Sequence, residues 1–307
     1  MTGRTLPGAL LAAALALGPA AQAAEPLGIC LEENVPPLSL KRGREATGFD
    51  AEVARRVAEQ LGRPLRVQWY ETKADADSYP DRQVNALLSD GRCDLVGGYP
   101  LSARGLGAPP AERAKLPDFA GARPEDRRRW VTLGTLAPSR AYRSAAFGVV
   151  LGPARAGLGF RHLDELKGLR LGVEERTLAD AILTAYRGGV LLDQVTHVTA
   201  GQALFDRLAA GDYDAVLVEI QRWDAWAAGH PDSGLSLAGY RHPIGFNFGF
   251  VGLAAAAPLL AAVSDALATL REAGELPALA QRAGLTYAPP RVPEISPPVT
   301  IAGLRDD

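Results

Sequence analysis

The sequence is poor in the residues on which several functional classes depend. Its 307 residues include two cysteines, one methionine and four histidines. A tetrahedral metal centre needs about four ligands brought together, whereas His162, His197, His230 and His242 are widely spaced and distant from both cysteines. That distribution offers no metal site, and no cofactor is expected. Charge of one sign is lacking as well: 33 basic residues face 35 acidic ones. Such a balance excludes the basic field that nucleic acids and anionic membranes select, so no nucleic-acid partner is expected. Catalytic signatures are missing too, with no G-x-S-x-G elbow, H-E-x-x-H pair, P-loop or strand-borne G-x-G-x-x-G. The chain therefore reads as a non-enzyme. With 47% hydrophobic residues it can bury cores without small-scaffold staples.

What is present begins with an export signal. Arg4 precedes an apolar run from Ala9 to Leu17, and Ala21-Gln22-Ala23 supplies a small-residue cleavage site. The run is shorter than the roughly 20 residues that cross a bilayer, so residues 1–23 read as a signal peptide. A soluble periplasmic protein is expected, with no later membrane span. In that oxidising compartment Cys30 and Cys93 read either as a disulfide, contributing about 4 kcal/mol by loop closure, or as two buried thiols.

The mature chain has two halves with one grammar. A strand at Leu27–Leu31 leads to Gly48-Phe49-Asp50, after which Phe49, Val53, Val57 and Leu61 recur every fourth residue. That period predicts a helix with Asp50 near its N-cap and Gly62 at its stop. Strand Leu65–Trp69, a helix through Val84, Leu87 and Leu88, and strand Cys93–Gly97 follow. The second half repeats the order: strand Leu169–Val173, helix Thr177–Tyr186, strand Gln194–Val198, helix Gln202–Ala209 and strand Ala215–Glu219. Alternating strands and helices imply parallel sheets, and Gly91-Arg92-Cys93-Asp94 is echoed by Gly211-Asp212-Tyr213-Asp214. Residues 100–144 read as an irregular insertion, with Arg127-Arg128-Arg129 on a solvated face. Near the C-terminus, strand Phe246–Leu253 precedes two helices, and residues from Pro289 read as a Pro-rich, unstructured tail. Two such lobes would enclose a solute between the carboxyl ends of their strands.

These motifs, in this order, resemble the family 3 periplasmic solute-binding proteins. Gly48-Phe49-Asp50-Ala51-Glu52-Val53-Ala54 resembles the family's helix opening. Gly91-Arg92-Cys93-Asp94-Leu95 resembles its strand entry, and Asp214-Ala215-Val216-Leu217-Val218-Glu219 a strand of its second lobe. The resemblance implies an α/β, type II periplasmic binding protein fold: two lobes, each a mostly parallel sheet flanked by helices, joined by two hinge strands. It divides the chain into lobe 1 at 24–145 with an insertion at 100–137, lobe 2 at 146–246, a return to lobe 1 at 247–288, and a tail at 289–307. It further implies a monomer that captures a small polar, amino-acid-like solute for an inner-membrane ABC transporter permease.

Site residues carry over from the resemblance one at a time. Thr177 matches a position that donates to a ligand carboxylate, and otherwise serves as a simple helix N-cap. Glu219 matches an acid that accepts from a ligand ammonium, and otherwise caps the next helix. The carboxylate-binding arginine is Arg113, in Pro110-Ala111-Glu112-Arg113-Ala114-Lys115, or Arg104, or neither. The aromatic that usually follows the double proline is replaced by Leu38; Trp69, Tyr99 and Tyr142 are the alternative walls.

Two other readings stay open. Cys30, Cys93, the run Asn85-Ala86-Leu87-Leu88 and Tyr142-Arg143-Ser144 also resemble binding-protein-like accessory proteins of quinoprotein methanol dehydrogenases, which implies a periplasmic quinoprotein dehydrogenase as partner. Cyclohexadienyl dehydratases share the fold, and in such an enzyme Glu219 or Glu174 would be the general acid.

Overall fold

The computed structural model describes residues 24–72, 79–109, 111–127, 129–199 and 203–306. The expected signal peptide at 1–23 lies outside the described residues.

Lobe 1 begins with β1 (Leu27–Glu32), followed by α1 (Phe49–Gln60), β2 (Leu65–Glu71), α2 (Pro80–Ser89) and β3 (Leu95–Pro100). β1 pairs in parallel with both β2 and β3. It is buried on both faces, and alternation sends its side chains to different layers. Leu27, Ile29 and Leu31 join one hydrophobic cluster with α1, while Cys30 joins another with α2. The helix opening needs its glycine: Gly48 has φ of 102°, and a Cβ there would lie 2.5 Å from the Leu38 carbonyl oxygen. Asp50 is not the N-cap; Gly48 is, and Asp50 lies buried inside the helix.

The insertion is more ordered than its prolines suggest. After β4 (Asp118–Phe119) it includes β5 (Leu136–Ser144), a nine-residue strand. β5 forms the edge of a six-stranded sheet ordered β4-β2-β1-β3-β11-β5, with β11 at Asn247–Leu253. An edge tolerates Pro138, because a strand there can leave an N–H unpaired. Of the arginine run, Arg127 and Arg129 are exposed, as a solvated face requires, and Arg129 also pairs with Asp90; Arg128 lies outside the described residues.

The chain crosses at Ala145-Ala146 into lobe 2. There β6 (Phe147–Leu151), β7 (Leu171–Glu174), α3 (Leu178–Ala185), β8 (Val195–Val198), α4 (Leu204–Ala209), β9 (Ala215–Glu219), α5 (Ile220–Ala227) and β10 (Ser236–Leu237) build a five-stranded sheet ordered β8-β7-β9-β6-β10. Each lobe has three adjacent parallel strands, central in the first sheet and reaching one edge of the second, and the strands that carry the chain between lobes pair antiparallel beside them. Along β9, Ala215 and Leu217 face one cluster while Val216 and Val218 face the other.

The repeated turns are equivalent in detail. Asp94 accepts from the Gly28 N–H at 2.8 Å, and Asp214 accepts from the Arg170 N–H at 2.9 Å. Each aspartate thereby ties the entry of one strand to the start of its parallel neighbour.

β11 returns the chain to lobe 1, followed by α6 (Ala257–Glu272) and α7 (Glu275–Ala283). The helical stretch Ala254–Glu272 is apolar and long enough to cross a membrane by composition, yet Leu260, Val263, Leu267 and Leu270 are buried in the lobe 1 cluster. The tail is not unstructured. The fully buried Asn247 amide donates to the carbonyls of Arg291, Pro293 and Glu294 at 2.9–3.1 Å and accepts from the Arg291 N–H at 2.8 Å. Ser296 donates its N–H to Leu101, and α8 (Ile301–Arg305) then packs against α3 of lobe 2. Proline removes donors but not acceptors, so a Pro-rich segment docks wherever a buried amide can supply the hydrogens.

Candidate ligand cleft

The carboxyl ends of β7 and β9 open side by side into a cavity of about 160 Å³. Beyond Glu174 the chain turns through Glu175-Arg176 and enters α3 at Thr177, whose hydroxyl accepts from the Asp180 N–H at 3.1 Å and donates to the Glu174 carbonyl at 2.7 Å. That hydroxyl is committed to capping. The first turn of α3, Leu178 and Ala179, lines the cavity, and first-turn N–H groups have no intrahelical acceptor, which favours negative charge.

Glu219 closes β9 at the opposite wall. It is the N-cap residue of α5, but its side chain makes no capping hydrogen bond. Burial pushes its carboxyl above the usual glutamate range, while the nearby Arg143 charge opposes that rise. One turn into α5, Arg222 also lines the cavity and forms an ion pair with Glu174. Burial lowers the Arg222 guanidinium from its ordinary value. Phe147 and Phe246, one beside each hinge crossing, add apolar wall with Leu217 and Val218.

Behind Glu219 lies a buried polar network of lobe 1. Arg143 makes two bonds to Asp50, at 3.1 and 3.3 Å, and its guanidinium sits 3.9 Å from the Phe248 ring centroid. Asp224 of α5 accepts from the N–H and hydroxyl of Thr286, both at 2.7 Å, fastening lobe 2 to the segment beyond α7.

Of the residues singled out from the sequence, Thr177 and Glu219 meet in this cavity. Arg113 is exposed on a short strand, Arg113–Lys115, and Arg104 is exposed beside a separate crevice with Asp81 and Tyr99. Neither arginine lines the cavity that holds Glu219. The three aromatics are buried, and none of them lines the cavity that holds Glu219. Trp69 and Tyr142 lie in the lobe 1 core, Tyr142 wholly buried with its hydroxyl accepting from the Gly98 N–H at 2.7 Å. Tyr99 is buried in the other lobe 1 cluster and donates to the Gly105 carbonyl at 2.9 Å. Cys30 and Cys93 form a disulfide with Cα atoms 5.7 Å apart, inside lobe 1 and away from the cavity. Among the described residues no group of three His, Cys, Asp or Glu is placed to hold a metal ion.

Sequence reasoning passed over Arg222, Phe147 and Phe246. Arg222 stands one helical turn beyond Glu219, a spacing that places both at a helix start. The partner Glu174 is far away in sequence, so the pair has no local signature.

Comparison with known proteins locates this architecture. The chain has the two-lobed periplasmic binding protein fold. It resembles the L-cystine solute receptor of Neisseria gonorrhoeae in its unliganded open conformation, with TM-score 0.58 and 18% identity over 84% of this chain and 92% of that one. It is similar to substrate-binding domain 2 of GlnP from Lactococcus lactis in the open conformation, with TM-score 0.58 and 15% identity over 87% and 98%. A histidine kinase sensor domain with similarity to periplasmic binding proteins also matches, with TM-score 0.51 and 16% identity over 87% and 99%. No family model and no curated protein matches the sequence.

Proposed function

We propose that the protein is a periplasmic solute receptor that captures a small polar, amino-acid-like solute and delivers it to an inner-membrane ABC transporter. The observation that carries this reading is the placement of Glu219, whose uncapped carboxyl faces a cavity bounded on another side by the first turn of α3. A solute ammonium fits the carboxyl, and a solute carboxylate fits the first-turn N–H groups. The fold supports it too, since the L-cystine receptor and the GlnP domain are solute-binding proteins. Thr177 acts by holding the α3 terminus in place, and hinged closure of the lobes completes the site.

A thermal-shift screen of the refolded, ligand-stripped protein against amino acids, polyamines, organic acids and sugars tests the reading. At 100 times its dissociation constant a solute adds about 2.7 kcal/mol, and Glu219→Ala is expected to abolish that shift. Silence across the whole panel counts against a receptor.

A second reading, an accessory protein of a quinoprotein dehydrogenase, rests on the sequence resemblance carried by Cys30, Cys93 and Tyr142-Arg143-Ser144. Co-purification with a dehydrogenase, with no shift from any solute, would put that reading first.

A further inference from the structure

The charged side chains lining the cavity are Glu174, Glu219 and Arg222, two carboxylates and one guanidinium. Arg222, the cavity's one cationic side chain among the described residues, is paired with Glu174. Arg143, which shares a second, smaller crevice with Glu219, is buried and bound to Asp50 through two hydrogen bonds. What remains for a solute is the Glu219 carboxyl and the α3 terminus, which carries about half a positive charge. A solute with a second negative group would meet no free guanidinium and would face an acid already desolvated.

We propose that Glu174 is the specificity-determining residue of this site. By holding Arg222 it withholds the cavity's cation from solute anions, so the site accepts neutral or net-cationic solutes and rejects dicarboxylic ones. The inference rests on the receptor reading and adds to it the charge class of the solute. Its physical logic is neutralisation. Arg222 meets Glu174 through one nitrogen and keeps other N–H donors, but a solute carboxylate approaching it meets a pair whose charges already cancel, beside a Glu174 carboxylate whose side chain is only 12% exposed.

The test compares L-lysine, L-glutamine and L-glutamate, which share their α-groups and differ in side-chain charge. Titration calorimetry and thermal shift are run on the wild type, Glu174→Gln and Arg222→Gln, with circular dichroism to verify folding. The wild type is expected to bind lysine or glutamine and to give no shift with glutamate. Glu174→Gln frees Arg222 and is expected to gain glutamate affinity by about tenfold or more. Arg222→Gln leaves two unpaired carboxylates and is expected to favour lysine by about the same factor. If the wild type binds glutamate as tightly as glutamine, or if Glu174→Gln changes all three affinities equally, the assignment of Glu174 is overturned while the receptor reading stands. If no solute of the broader panel binds the wild type or either variant, the receptor reading fails and the inference fails with it.

Discussion

The two lobes share a scaffold and differ in what they leave unsatisfied. Both have three adjacent parallel strands, and both use an aspartate to lock a strand entry onto a neighbouring backbone N–H. Lobe 1 adds a disulfide and closes its polar groups on one another: Arg143 with Asp50, Glu32 with Thr72, and Lys41 with Glu33. Lobe 2 contains no cysteine, and its residues line the cavity, among them Glu219, a half-buried acid whose side chain makes no capping hydrogen bond. Similar topology thus yields a braced platform and a wall with an uncapped acid. Buried charge that is paired supports structure, whereas buried charge that is unpaired invites a ligand.

The sharpest way to break this contrast is at the junction. Arg143→Ala strips a buried aspartate of its partner and is expected to cost about 3–5 kcal/mol in urea unfolding. The loss should fall on lobe 1, where both groups reside, and hydrogen exchange can read it locally. Equal loss of protection in lobe 2 would show that the lobes unfold as one unit.

A smaller effect is expected from the disulfide. Replacing both Cys30 and Cys93 by serine frees a loop of 63 residues' separation, which corresponds to about 4 kcal/mol at most in the chain-entropy treatment. The lobe 1 exchange rates should rise while those of α3 and β9 stay near wild type. A uniform rise would remove the distinction between platform and wall.

The smallest change concerns lobe 2 and depends on pH. Because burial raises the folded-state pKa of Glu219, the folded state holds that proton more tightly than the unfolded one. Stability then falls as pH rises from the ordinary glutamate value through the raised one. Glu219→Gln should therefore be more stable than wild type near neutral pH, with the difference vanishing below the ordinary carboxylate range. Thermal melts of the two proteins between about pH 3 and 8 check it. A cationic solute reverses the sense for binding, since its affinity should drop as Glu219 takes up a proton.

Local signals account for much of what the sequence disclosed. The four-residue recurrence from Phe49 to Val57 marked α1, and Ala215–Glu219 agrees residue for residue with β9. Both depend on neighbours within a few positions. The same logic failed where a distant partner overrode a local cue. Pro138 suggested an irregular segment, but β11 recruits it into an edge strand through the pair Val251 and Pro138. The prolines after Pro289 suggested disorder, but Asn247 captures their carbonyls. Asp50 fitted a helix cap by its position, yet its partner Arg143 is 93 residues away.

By itself, the sequence determined the order of strands and helices, the two-lobed grammar and the carboxyl-end location of Thr177 and Glu219. Periodicity, turn residues and caps are short-range properties, written within a turn or a strand of the residue concerned. Only the tertiary structure decided which charges are spent in pairs and which remain for a ligand. Glu174 and Arg222 come together because β7 and the start of α5 end beside one cavity. Whether a buried charge is satisfied depends on what folding places against it, and that information is not local to any segment of the chain.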